Sequence, residues 1–117
     1  MNEIELKQRT KKFGLRVIKL VGALPTSLPG RTIANQLIRS GTSVGCNYRA
    51  ACRGRSKADF VSKLGIVEEE ADESAYWLEM IIEVGLMKVR LVEPLLKEAN
   101  ELVAIFVSSR KSASGRR

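Results

Sequence analysis

Between Phe60 and Gly85, the residues Phe60, Leu64, Val67, Ala71, Ser74, Leu78, Ile81 and Gly85 recur at alternating intervals of four and three. A strand repeats its faces every two residues and cannot gather these positions on one side. A helix of 3.6 residues per turn puts all eight on one seam. Val61, Ala75 and Ile82 widen that seam. A helix of roughly 40 Å with one apolar face cannot bury it alone, so the rest of the chain must supply other helices.

Three further segments carry the same period. Leu6, Thr10, Phe13, Val17, Leu20, Val21 and Leu24 share one face of a helix expected over residues 3 to 24, which "PTSLPG" then interrupts. From about Arg31 to Arg53 a second face runs through Ile33, Leu37, Gly41, Val44, Tyr48 and Cys52. Ser56 and Asp59 form a capping-box-like start for the long third helix, and Gly85 is its expected C-cap. After a turn around "LMKVRLVE", Pro94 is read as the first residue of a fourth helix, with Leu95, Ala99, Leu102, Val103 and Phe106 on its face. The expectation is an all-α fold, an antiparallel up-down four-helix bundle over residues 1–109. Residues 110–117 are expected to be a basic flexible tail.

The stretch "RSGTSVGCNYRAACRGR" (39–55) superficially suggests a phosphate-binding loop, but its glycines lack the spacing of a P-loop or a dinucleotide fingerprint and no strand precedes it. Placed on the second helix, Gly41 and Gly45 lie one turn apart and let a neighbouring helix come close. Each costs up to about 1 kcal/mol of helix propensity against Ala. Cys46 and Cys52 point about 120° apart on that helix and cannot pair; they read as small, semi-buried residues. The chain has no histidine, which removes His-dependent triads and His-ligated metal sites. The carboxylates of "EEEADES" (68–74) have no second cluster to complete a metal site. No cofactor and no enzymatic activity are expected.

The net charge of +7 conceals a strong asymmetry. Residues 6 to 58 hold twelve Lys and Arg and no acid, whereas residues 59 to 107 hold four bases and eleven acids. On the first helix Arg9, Lys12, Arg16 and Lys19 form a basic row. On the second, Arg31, Asn35, Arg39, Thr42, Cys46, Arg49 and Arg53 fall within about 80° of arc, and the row continues into Arg55 and Lys57. These ten cations are the candidate nucleic-acid-binding residues, suited to sequence-tolerant, salt-sensitive contact with phosphates of RNA or DNA. Two other uses of the rows stay open at this point: pairing with the Glu68–Glu73 cluster of a neighbouring subunit, and an ordinary solvated surface. No apolar run is long enough to span a membrane and the N-terminus has no export signal, so a cytoplasmic protein is expected.

The segments "QLIRSGTSVGCNYRAA" (36–51), "DFVSKLGIVEEEADESAYWLE" (59–79) and "VGL" (84–86) together resemble the four-helix bundle family known as 23S rRNA intervening-sequence proteins. The resemblance rests on Gln36, Leu37, Arg39, Ser40, Ser43 and Asn47 in the second helix and on Asp59, Phe60, Lys63, Leu64, Glu70, Glu73, Trp77 and Leu78 in the third. It implies a left-handed bundle, assembly into a homopentamer, and kinship with the accessory variability determinant of diversity-generating retroelements, which partners a reverse transcriptase and nucleic acid. It implies no reaction. Where the family often has Glu, this chain has Ala50, which leaves the second helix uniformly basic. Gln36, Ser40, Ser43 and Asn47 are expected to hydrogen-bond between helices, and Trp77 to anchor packing with its indole N–H bonded. The expected function is a non-enzymatic, oligomeric nucleic-acid-backbone binder, accessory to a retroelement-type reverse transcriptase. The alternative is a self-assembling structural protein whose basic helices pair with acidic helices of neighbouring subunits.

Overall fold

A computed structural model describes residues 1–115, which form four helices: α1 (Glu3–Gly22), α2 (Leu28–Cys52), α3 (Lys57–Val84) and α4 (Val89–Ala113). Turns of four or five residues join them, and each helix packs antiparallel on the one before. The bundle measures 45 × 23 × 21 Å. α2 packs extensively on α1 and on α3, and α3 on α4, whereas α1 and α4 meet only over a short stretch. The ring of helices is therefore loosest along its α1–α4 seam.

The four apolar faces expected from the spacing make the core. Phe13, Val17, Leu37, Val44, Leu64, Val67, Leu78, Ile81, Leu102 and Phe106 are fully buried. Tyr48 packs its ring against Phe106 at 5.4 Å between centroids. Ala51, rather than Cys52, completes the buried face of α2, and Val92 begins that of α4. Each such aliphatic or aromatic side chain contributes about 1.5–3 kcal/mol through burial.

The helix ends show which local signals hold. Ser56 caps α3 by accepting a hydrogen bond from Asp59 N at 3.0 Å, while the Asp59 carboxylate reaches back to Arg55 N at 3.2 Å, one residue beyond the N-cap N–H of a full capping box. Gly85 closes α3 at φ 79°, with Leu86 N bonded to Ile81 O at 3.0 Å, the Schellman arrangement in which only glycine is unstrained.

Three boundaries differ from expectation. α2 begins at Leu28, so Pro29 lies inside its first turn, where a missing N–H costs nothing; Ser27 caps it by accepting from Gly30 N. α4 begins at Val89, so Pro94 is its sixth residue and not its first. Packing of Val92 and Leu95 holds that turn despite the lost hydrogen bond to the carbonyl of residue 90. α4 also continues through Ala113, past the expected boundary at 109, and Arg110 bonds Glu68 of α3 at 2.9 Å. Arg116 and Arg117, the end of the expected tail, lie outside the described residues.

The expected close approach between helices occurs between α1 and α2. Thr10 backbone atoms lie 3.3 Å from where a Gly45 β-carbon would stand, and Val17 would crowd one on Gly41.

Candidate functional site

The two basic rows do not merge into one surface. On α1, Arg9 turns toward α4 and grips the Glu98 carboxylate with two hydrogen bonds of 2.7 Å, adding Glu101 at 3.0 Å. The hydrogen bond to Glu98 is the main reason its guanidinium titrates above its ordinary value. Further along the same side, Arg16 and Lys19 edge a cleft of about 410 Å3 floored by Leu20, Met87, Leu91 and Leu95. Lys12 is exposed. The α1 row thus runs beside the loose seam, and its first member is occupied within the chain.

On α2 the row splits. Arg39 pairs with Glu70 of α3 at 3.2 Å and with Glu73. Its hydrogen bond holds the Glu73 carboxyl below the usual carboxylate range, helped by the Trp77 indole N–H, which donates to Glu73 at 3.1 Å. Trp77 is thus half-buried with its N–H bonded, as expected. Arg31 donates to the Thr26 carbonyl. Arg49, with Thr42 and Cys46 of the same row, lines a groove against α1. A helical wheel fixes a direction relative to one axis, not the neighbour found there.

These contacts also bear on pairing between subunits. Of the five carboxylates in residues 68–73, Glu68, Glu70 and Glu73 are engaged inside the chain, by Arg110 and Arg39. Only Glu69 and Asp72 remain exposed. Arg39 reaches the cluster of its own α3.

What the fold does gather is one end of the bundle. Antiparallel packing brings the C-termini of α2 and α4 beside the N-terminus of α3. Arg53, Arg55 and Lys57 surround the α2–α3 turn, exposed, and among the described residues none of their side chains has a carboxylate partner within ion-pair distance. Lys57 shares a shallow pocket with Ser114, the C-cap of α4, and exposed Lys111 lies one turn before it. The nearby Asp59 carboxylate is turned to Lys63 Nζ and Arg55 N, each at 3.2 Å.

The sequence reading passed over Lys111 because the tail was expected to leave the bundle. It also passed over Lys7 and Lys11, which line the α1–α2 groove with Arg49.

Of Gln36, Ser40, Ser43 and Asn47, only Ser40 bonds between helices among the described residues, accepting from Ser74 Oγ at 3.0 Å. Ser43 Oγ and Asn47 Nδ2 donate to carbonyls of their own helix, and Gln36 is exposed. Their side chains find a carbonyl one turn back more readily than a partner across the interface. Cys46 is exposed rather than semi-buried, whereas burial raises the Cys52 thiol above its ordinary value. Among the described residues no group of three or more Cys, Asp or Glu is placed to hold a metal ion, and no helix is long and apolar enough to cross a membrane.

The family described as 23S rRNA-intervening sequence protein matches residues 2–108. The chain is also similar to a crystal structure of a protein of unknown function, from the S23 ribosomal protein family, of Bacteroides thetaiotaomicron VPI-5482. That likeness has a TM-score of 0.87 and 32% sequence identity, over 95% of this chain and 99% of that one. No curated protein matches.

Proposed function

We propose that this chain, which belongs to the 23S rRNA-intervening sequence protein family, is a non-enzymatic, oligomeric bundle whose basic end binds the phosphate backbone of RNA or DNA. One observation carries the reading: Arg53, Arg55 and Lys57 stand exposed around one turn with no carboxylate partner among the described residues, while Arg9, Arg39 and Arg110 are paired. Cations kept clear of internal partners are available to phosphates. Lys111 extends the patch onto the neighbouring α4. The rings nearest the patch in the chain are Phe60, half-buried against the core, and Tyr48, buried in it, so neither offers an open face for base stacking and the contact is to backbone. A reverse transcriptase working on the same nucleic acid is the protein partner to which such a bundle would be accessory.

The test is fluorescence anisotropy with a mixed-sequence single-stranded RNA and a DNA of the same length. Binding should weaken by about 0.7–0.9 log unit per log unit of salt for each phosphate neutralised. Arg53→Glu with Arg55→Glu and Lys57→Glu should abolish it while helicity and assembly persist. Salt-insensitive binding, or none in the wild type, rejects the reading.

A further inference from the structure

We propose that the groove between α1 and α2 seats the outer face of α3 from a second copy of this chain, a head-to-tail contact that rests on the oligomeric part of the reading above. The groove holds about 480 Å3. It is open because Gly14 and Gly45 put no side chain between the two helices. On its α1 side stand Leu15 and Ile18, 59% and 46% exposed. Lys11 and Arg49 flank them, exposed and without a carboxylate partner among the described residues. An aliphatic pair between free cations calls for an apolar group carried among carboxylates. A phosphate backbone would satisfy the cations and leave Leu15 and Ile18 in water.

The same chain carries that counterpart on another side. Along α3, Glu69, Asp72, Tyr76, Glu79 and Glu83 lie within about 80° of arc, opposite the buried seam of Leu64, Val67 and Leu78. All four carboxylates are exposed and pair with no cation among the described residues, and Tyr76 is 53% exposed in their midst. The ring matches the aliphatic wall, and the acids match Lys11 and Arg49. Tyrosine at the centre of a patch with a charged rim is the composition that interfaces favour. Because groove and ridge are different surfaces of one molecule, the contact is heterologous and leaves one copy with an unused ridge and the other with an unused groove. It therefore repeats, closing where the rotation permits.

Cys46 lines the groove and is exposed, so in a Cys52→Ser background it reports on what enters. Asp72→Cys in that background, treated with bismaleimidoethane, should give a ladder of linked multimers on a denaturing gel. Glu93→Cys, on the outside of α4, should give none. Light scattering should show Lys11→Glu with Arg49→Glu reduced to monomer mass, and the addition of Glu69→Lys with Asp72→Lys should restore the assembly, with helical circular dichroism unchanged throughout.

A monomeric wild type, an assembly untouched by the groove reversal, or equal cross-linking from Glu93→Cys would overturn the proposal. So would protection of Cys46 from maleimide by added RNA but not by rising protein concentration, since RNA would then occupy the groove. The two readings fail separately. A ladder without RNA binding sinks only the phosphate role of the bundle end, and salt-sensitive RNA binding by a monomer sinks only this contact.

Discussion

Val17 lies so close to Gly41 that a β-carbon on the glycine would stand 2.7 Å from the valine Cγ2. Gly41→Ala is therefore expected to destabilise the fold by about 1–3 kcal/mol, despite the gain of up to about 1 kcal/mol in helix propensity. Gly14→Ala should do the opposite, because its β-carbon would meet Gly41 O and Thr42 Cα at an ordinary 3.6 Å. Urea denaturation of both variants checks the pair, and a destabilised Gly14→Ala would contradict the geometry.

Arg9 fastens the seam where the helices touch least. Its side chain is 25% exposed and that of Glu98 16%, so Arg9→Met leaves a carboxylate poorly solvated and unpaired. The expected loss is about 1–2 kcal/mol. Amide exchange in the first half of α1 should rise more than in α2 or α3, a pattern that a general loss of stability would not produce.

Acid should act through Glu73. A carboxyl whose folded value lies below its ordinary 4.5 stabilises the fold fully above that pH, and the contribution is lost as pH falls through the lower folded value. Asp59, lowered chiefly by its hydrogen bond from Lys63, adds loss in the same direction. Stability should fall as pH drops below 4.5. In Arg39→Met the Glu73 carboxyl should titrate higher by NMR, with a smaller acid-dependent loss.

Pro94 interrupts the hydrogen bonding of α4 in its second turn and is exposed. Pro94→Ala should restore the bond to the carbonyl of Arg90 and stabilise the fold by about 1–2 kcal/mol, measurable as a raised Tm. No change would mean that the turn had already relaxed around the ring.

The periodicity of α3, the cap at Ser56 and the αL glycine at 85 were legible because each depends on residues within a few positions of one another. The start of α4 was not. Lys88 offers no capping side chain and Pro94 imitates a first-turn proline, while the burial of Val92 that decides the matter comes from elsewhere in the bundle. The same distinction governs the candidate site. The basic rows were visible along single helices, but the partners of Arg9 lie 89 and 92 residues away and those of Arg39 lie 31 and 34 away. Wheel position alone does not separate an arginine occupied by such a partner from one left free, as Arg53 is.

The packing order of the helices also shapes how the chain reaches its fold. Each helix finds its principal partner across a turn of four or five residues, and the one pairing between distant segments, α1 with α4, is the slightest. Loop closures of that size are fast, and proteins dominated by local contacts fold in microseconds to milliseconds. During synthesis each new hairpin has its mate already outside the ribosome. The nascent chain can acquire structure two helices at a time, leaving little to wait for except the fastening of Arg9.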